Sequence, residues 1–265
     1  MTDTKYTRQT IIDVRTWVPG KLFSVHATRD PAFAFQAGQF ARVGLPAADT
    51  PDAEPTIWRA YSMVSAPHET HLEFYSIVVP EGEFSPRMAQ LRAGDALYIE
   101  KNPYGFLTLE RFAPGGTLWL LASGTGLSAY LSILRDPATW KAFERIVLIH
   151  GVRTVEELAY RQEIEGWRAD PAFAPYFEQD PRKLVYLPIA TREALPGVPQ
   201  ERLTTLIADG RLEALAGETL DPARAKIMLC GNPALLADAR KLLAERGFAP
   251  GRRGIPGNLA VENYW

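Results

Sequence analysis

Three short, unbroken apolar runs constrain this chain more than any other feature: residues 117–122 (TLWLLA), 146–150 (IVLIH) and 227–230 (IMLC). A strand that is apolar on both faces belongs inside a sheet covered on both sides, which is the setting of parallel strands linked by helices. Helix signals lie between the runs. Thr154 with Glu157 fits a capping box and predicts a helix running towards Ile164. Asn232 can cap a second helix with Pro233 at its first position. That helix carries Leu235, Leu236, Ala239, Leu242 and Leu243 on one face and stops at Gly247. Strand–helix alternation of this kind predicts a doubly wound α/β parallel sheet.

The preceding residues read differently. An alternating stretch begins at Leu22 after the turn signal Pro19-Gly20 and includes Val25 and Ala27. Residues 72–79 (LEFYSIVV) are rich in aromatic and β-branched side chains and end at Pro80. Gly38-Gln39-Phe40 and Gly94-Asp95-Ala96-Leu97 resemble turns feeding short strands. Many short strands without a long helix predict an antiparallel β-barrel. Ala113-Pro114-Gly115-Gly116 makes a linker, so two domains are expected, a barrel over 1–113 and an α/β unit over 114–265.

Composition narrows the chemistry. The single cysteine, Cys230, excludes an internal disulfide and any iron–sulfur or zinc–thiolate cluster built from this chain. His26, His68, His71 and His150 are scattered, and no metal site is expected. A net charge of −2 gives no sign of a nucleic-acid partner. The first ten residues, MTDTKYTRQT, lack an apolar secretory segment. No run approaches the roughly 18 residues of a membrane span, so a cytoplasmic protein is expected.

Gly124-Thr125-Gly126 directly follows the first apolar run. Glycines there let backbone N–H groups approach a pyrophosphate, though a strand–helix turn also uses glycine for purely structural reasons. The second run leads into Gly151-Val152-Arg153, where an NAD-binding fold would present an acidic residue to the ribose. Arginine there suits a 2′-phosphate, or is simply a solvated loop charge.

Arg59-Ala60-Tyr61-Ser62 resembles the Arg-x-Tyr-Ser flavin motif of the ferredoxin–NADP reductase superfamily, in particular its bacterial ferredoxin/flavodoxin–NADP reductases. Gly82-Glu83-Phe84-Ser85-Pro86-Arg87 follows at the family's spacing, and Gly124–Gly126 matches its nicotinamide-domain turn. Cys230-Gly231-Asn232-Pro233 resembles its Cys-Gly-x-x segment, and the chain ends Ala260-Val261-Glu262-Asn263-Tyr264-Trp265, like the aromatic tail of the bacterial members. The resemblance covers the chain from about Phe35 to Trp265. Two departures stand out: Ala60 replaces a common proline, and Leu127-Ser128-Ala129-Tyr130 replaces the usual small residues and proline.

The resemblance implies FAD and NADP(H) as cofactors. Arg59 would neutralise the FAD pyrophosphate, as a fixed guanidinium pairs well with phosphate. Tyr61 would pack on the flavin ring, and Ser62 would approach its N5. Ala60, Tyr75, Ser76, Ile77, Gly82, Phe84 and Ser85 would complete the FAD site. Tyr264 would cover the second flavin face as a gate that NADPH displaces, with Trp265 near the adenine. Gly124, Thr125, Gly126, Cys230 and Gly231 would hold NADP, with Arg153, Arg192 and Arg202 around its 2′-phosphate. Ser62, Cys230, Glu262 and Tyr264 would serve the hydride step. The implied activity passes electrons between NADPH and an acidic ferredoxin or flavodoxin, and the enzyme would act as a monomer. A flavin, quinone or oxygenase reductase on the same scaffold remains open. So do a non-enzymatic FAD or nucleotide sensor and a cofactor-free interaction module.

Overall fold

A computed structural model describes residues 4–46, 54–252 and 255–263. Six antiparallel strands come first: β1 Tyr6–Val18, β2 Leu22–Thr28, β3 Phe40–Leu45, β4 Ile57–Ser62, β5 His71–Ile77 and β6 Ala96–Glu100. Their order in the sheet is β4-β3-β6-β1-β2-β5. The two outer strands come together through a bridge between Met63 and Phe74, and the Val64 N–H donates to the Glu73 carbonyl at 2.8 Å. The sheet therefore curls towards a closed barrel, which leaves no free edge between β4 and β5. Ile11, Phe23, Val25, Ala41, Val43, Phe74, Leu97 and Ile99 fill its interior. A short helix, α1 Ser85–Met88, follows β5.

β1 was not evident in the sequence. Its burial is irregular, and its pairing with β2 shifts between Ile11 and Asp13 and again before Val18. Such bulges break the period of two on which strand recognition rests. β2 also departs from simple alternation, because nearly all of it is buried between the barrel interior and the second half of the molecule.

The second sheet is parallel: β7 Thr117–Ser123, β8 Arg145–Val152, β9 Leu184–Ala190, β10 Ala225–Cys230 and β11 Leu259–Glu262, in the order β11-β10-β7-β8-β9. All three apolar runs are strands in it, as expected. Helices α2 Leu127–Arg135, α3 Pro137–Ala142, α4 Arg161–Gly166, α5 Ala174–Gln179, α6 Leu203–Ala208, α7 Arg211–Ala216 and α8 Pro233–Glu245 cover its two faces. The α8 prediction holds in detail: the Asn232 side chain accepts from the Ala234 and Leu235 amides, and Leu236, Ala239 and Leu243 are buried. The 154–157 prediction does not. The Thr154 side chain makes no cap, and a single 3₁₀ turn forms instead. The Glu157 carboxylate is engaged by the Arg153 amide and by Lys21 of the barrel, and Tyr160 at φ 61° breaks the path before α4. A tertiary ion pair has displaced the local cap.

Chain order reverses on either side of β7, so the C-terminal ends of β7 and β10 flank the topological switch point where open α/β sheets bind ligands. Helix α2 lies between this sheet and the barrel, with Leu127–Leu134 all buried. One apolar core continues from Val18, Leu22, Val64 and Tyr75 of the barrel into Leu120, Leu148 and Met228 of the sheet.

Candidate active site

The loops after β7 and β10 pack hard against each other. A Cβ on Gly126 would collide with the Cys230 carbonyl, and one on Gly231, at φ +138°, would collide with the Ser123 hydroxyl. That hydroxyl accepts a hydrogen bond from the Asn232 amide at 2.8 Å. Both glycines are thus required for the approach itself. Gly124, at φ +54°, faces open space.

Opposite these loops stand β4, β5 and the 79–85 segment of the barrel. Between them lies a cleft of roughly 460 Å³. Arg59, Ala60, Tyr61, Ser62, Tyr75, Ser76, Ile77, Gly82, Phe84 and Ser85 line one wall; Thr125, Gly126, Cys230 and Gly231 line the other. The two groups of sequence-predicted residues, far apart in the chain, meet in one crevice. Val79, Glu83 and Ser128 also line it and were not singled out from the sequence. The unusual Leu127-Ser128-Ala129-Tyr130 segment is explained by packing. Only Ser128 reaches the cleft, its hydroxyl donating to the Thr125 carbonyl at 2.9 Å, while Leu127, Ala129 and Tyr130 are core residues of α2.

The barrel wall is prearranged. The Tyr61 ring rests on Phe84 at 5.6 Å and edge-on to Phe74 at 6.3 Å, and its hydroxyl lies 3.2 Å from Ser76 Oγ. Burial raises the Tyr61 phenol above its usual range, so it stays protonated. Ser85 Oγ accepts from the Val79 amide at 2.8 Å, which fixes the loop that turns at Gly82. Arg59 is exposed, its guanidinium donating to the Trp58 carbonyl at 2.8 Å. The Tyr75 hydroxyl is buried without a hydrogen-bond partner, and burial raises its pKa.

On the α/β wall the Cys230 thiol is fully buried, and desolvation followed by the charge of Glu262 pushes its pKa far up. It is a neutral thiol, not a nucleophile. Glu262 pairs in register with Cys230 across β10 and β11, and its carboxylate accepts from the Phe106 amide of the barrel side at 3.1 Å. Arg153 and Arg192 lie on adjacent loops, joined through the Arg192 amide and the Arg153 carbonyl at 2.8 Å; Arg202 caps α6. All three are exposed and lie outside the cleft lining. Gly124 borders the crevice without lining it. Tyr264 and Trp265 lie outside the described residues.

The set fits a flavin dinucleotide and a pyridine nucleotide. It offers a cation, a stacked tyrosine with its partner hydroxyl, an unsatisfied buried phenol and a glycine turn open to the crevice. Among the described residues no group of His, Cys, Asp and Glu is arranged to hold a metal, and no helix is long and apolar enough to cross a membrane. A wider cavity of about 670 Å³ contains His68, Arg135, Glu163 and Trp167. Its Arg135 and Glu163 are already paired with each other, and none of the predicted site residues lies there.

Residues 120–241 match the oxidoreductase NAD-binding domain family. Ferredoxin–NADP reductase A of Sorangium cellulosum (strain So ce56) is 42% identical over 258 residues, spanning 97% of this chain and 89% of its own. The ferredoxin–NADP reductase of Pseudomonas aeruginosa is 37% identical, over 95% of both chains. The solved structure of a ferredoxin NADP+ reductase from Neisseria gonorrhoeae with bound FAD and NADP superimposes with a TM-score of 0.88 at 31% identity, over 99% of this chain and 100% of that one. The chain belongs to the ferredoxin–NADP reductase family of oxidoreductases.

Proposed function

We propose that this protein passes electrons between NADPH and a small one-electron carrier, ferredoxin or flavodoxin, using FAD held in the cleft. The observation that carries this reading is the meeting of the flavin-motif residues 59–62 and 82–85 with Thr125, Gly126, Cys230 and Gly231 across one crevice. When bound, FAD supplies the exchange between two-electron and one-electron chemistry.

The residues have separable tasks. Residues 1–113 serve FAD and residues 114–265 serve NADP. Arg59 neutralises the flavin pyrophosphate, and Ser85 with its neighbouring amides holds the same group. Tyr61, braced by Phe84 and Ser76, forms a flat apolar wall for the ring, and Ser62 orients the ring edge. Cys230, as a buried neutral thiol, sets the depth of the nicotinamide without taking part in bond formation. Glu262 holds charge at the rim. Tyr264 would cover the ring as a gate to the nicotinamide, and Trp265 would take the adenine side, as the family resemblance implies. Arg153, Arg192 and Arg202 select the 2′-phosphate. One charge-assisted hydrogen bond is worth about 1.5–3 kcal/mol, roughly 10- to 150-fold in preference for NADPH over NADH. The protein works as a cytoplasmic monomer.

The test is an anaerobic titration of the purified yellow protein with NADPH and, separately, NADH, followed by ferredoxin or flavodoxin. Fast bleaching by NADPH over NADH, with electrons passed to the carrier, is expected. A colourless protein that also fails to bind added FAD overturns the reading. Bleaching without transfer to either carrier redirects it to a flavin or quinone reductase, and a yellow protein indifferent to NADPH to a sensor.

A further inference from the structure

His150 is a costly residue for its position. It sits within β8, between Ala122 of β7 and Pro188 of β9, and is wholly buried on the face that packs against α2 and the barrel. Its neighbours in the same run, Val147, Leu148 and Ile149, are apolar and equally buried. Burial pushes the imidazole down to about 4, with the Gly124 carbonyl and Glu157 acting against that shift, so the ring is neutral at working pH. Its Nδ1 has no hydrogen-bond partner. Among the described residues its ring makes one hydrogen bond that a leucine could not: Nε2 lies 3.3 Å from the Gly124 carbonyl oxygen. A carbonyl only accepts, so Nε2 carries the proton and donates.

We propose that His150 is a positioning residue for the pyridine dinucleotide, tying down the Gly124 carbonyl so that the next amide is aimed into the crevice. The inference rests on the reading of Gly124–Gly126 as the dinucleotide turn. In a trans peptide the C=O and the following N–H point in opposite directions. A Gly124 carbonyl drawn towards the sheet floor therefore turns the Thr125 N–H away from it. Thr125 and Gly126 are the turn residues that line the cleft, and no cis peptide occurs among the described residues. The Gly124 carbonyl also accepts from the Leu127 amide within the turn, and Gly124, at φ +54°, has open space where a Cβ would stand. The histidine adds, from the sheet floor, the one side-chain hydrogen bond that this carbonyl receives among the described residues.

Three variants test this: His150→Leu, His150→Asn and His150→Gln. Glutamine places an amide N–H where Nε2 stands, whereas asparagine is too short and leucine cannot donate. Calorimetric titration of the FAD-loaded enzyme with NADP+ is read first, then the KM and kcat for NADPH. The leucine and asparagine variants are expected to weaken NADP+ binding about tenfold and raise KM more than they lower kcat. Glutamine should return both to within about threefold of the unchanged enzyme. Should the leucine variant fail to fold, the asparagine–glutamine contrast carries the decision. Unchanged binding in the asparagine variant, or an equal loss in asparagine and glutamine, overturns the inference. Failure of the parent enzyme to bind NADP+ would instead overturn the functional reading beneath it.

Discussion

The barrel and the α/β half meet along a seam whose polar groups are treated in opposite ways at its two sides. On one side they bond across the seam. Glu73 of β5, only 3% exposed, accepts from the Tyr160 hydroxyl at 2.6 Å, meets His26 of β2 at 3.0 Å and pairs with Arg135 of α2 at 2.7 Å. Arg135 in turn makes two bonds to Glu163 of α4, at 2.9 and 3.0 Å. Ser132 of α2 adds a bond to the Ser65 carbonyl at 2.7 Å. In the cleft, Tyr61 meets Ser76, Ser85 meets Val79 and Ser128 meets Thr125, and in the loops behind it Ser123 meets Asn232, each within its own half. One side is closed by the protein's own charges. The other keeps most of its polar groups in two separate walls, bridged at the rim by the Phe106 amide donating to Glu262 at 3.1 Å, which leaves room for a charged ligand between them.

The largest expected effect comes from breaking the closed side. Removing one member of a buried ion cluster strands the remaining charges and costs about 3–5 kcal/mol. Glu73→Ala should lower stability by that amount in urea unfolding; a loss under about 1 kcal/mol would show that the apolar core alone holds the seam. The pH dependence is specific. Burial by itself would raise the Glu73 carboxyl, but the His26 hydrogen bond, the Arg135 charge and the Tyr160 hydroxyl outweigh it and hold it at about 2, against an ordinary 4.5. Its contribution is therefore complete above pH 4.5 and is lost as pH falls towards 2. The hydrogen bond to Glu73 raises His26 above 6.5, so its contribution is complete below 6.5 and is lost as pH rises through the higher folded value. Stability from this cluster should peak between those limits, and Glu73→Ala should flatten both slopes.

Arg59→Ala probes the open side, and its effect should be confined there. The side chain is exposed and, among the described residues, donates to its own neighbour's carbonyl alone, so the folded protein should lose no more than about 0.5 kcal/mol. FAD affinity should fall by about 1.5–3 kcal/mol, measured as flavin release on dilution. Equal losses in stability and FAD binding would erase the distinction between the two sides.

The open side was far more legible in the sequence than the closed one. Arg59, Tyr61, Ser85, Cys230 and Gly231 occur in short contiguous motifs, because each wall of the cleft is built from one strand end and its loop. The two sheets were legible for the same local reason, through apolar runs and turn glycines. The closed side has no local signature. Glu73 sits inside an aromatic strand, Arg135 ends an apolar helix, and Tyr160 follows a failed helix start; only folding brings them together. Ser128 was obscured likewise, as one hydroxyl in a helix buried on nearly every side. His150 was one of four scattered histidines until the glycine turn above it was located.

Tyr75 joins the two sides, and its substitution should give the smallest but most discriminating effect. Its ring stands edge-on to Tyr160 at 5.2 Å, and Tyr160 is the only described non-glycine residue with positive φ, at 61°, its hydroxyl fixed on Glu73. The Tyr75 hydroxyl, by contrast, is buried at the cleft with no partner. An unsatisfied buried hydroxyl costs free energy, and removing it without changing the ring relieves that cost. Tyr75→Phe should leave the FAD-free protein as stable as before, or more stable by about 1 kcal/mol, in thermal unfolding. FAD affinity should move the opposite way, falling about fivefold, since roughly 1 kcal/mol of hydrogen bonding is lost. Opposite signs would mean that the hydroxyl is held in reserve for the ligand at the expense of the fold. If stability fell together with affinity, the hydroxyl would instead belong to the closed network, and the division between the two sides would have to be drawn on the other side of Tyr75.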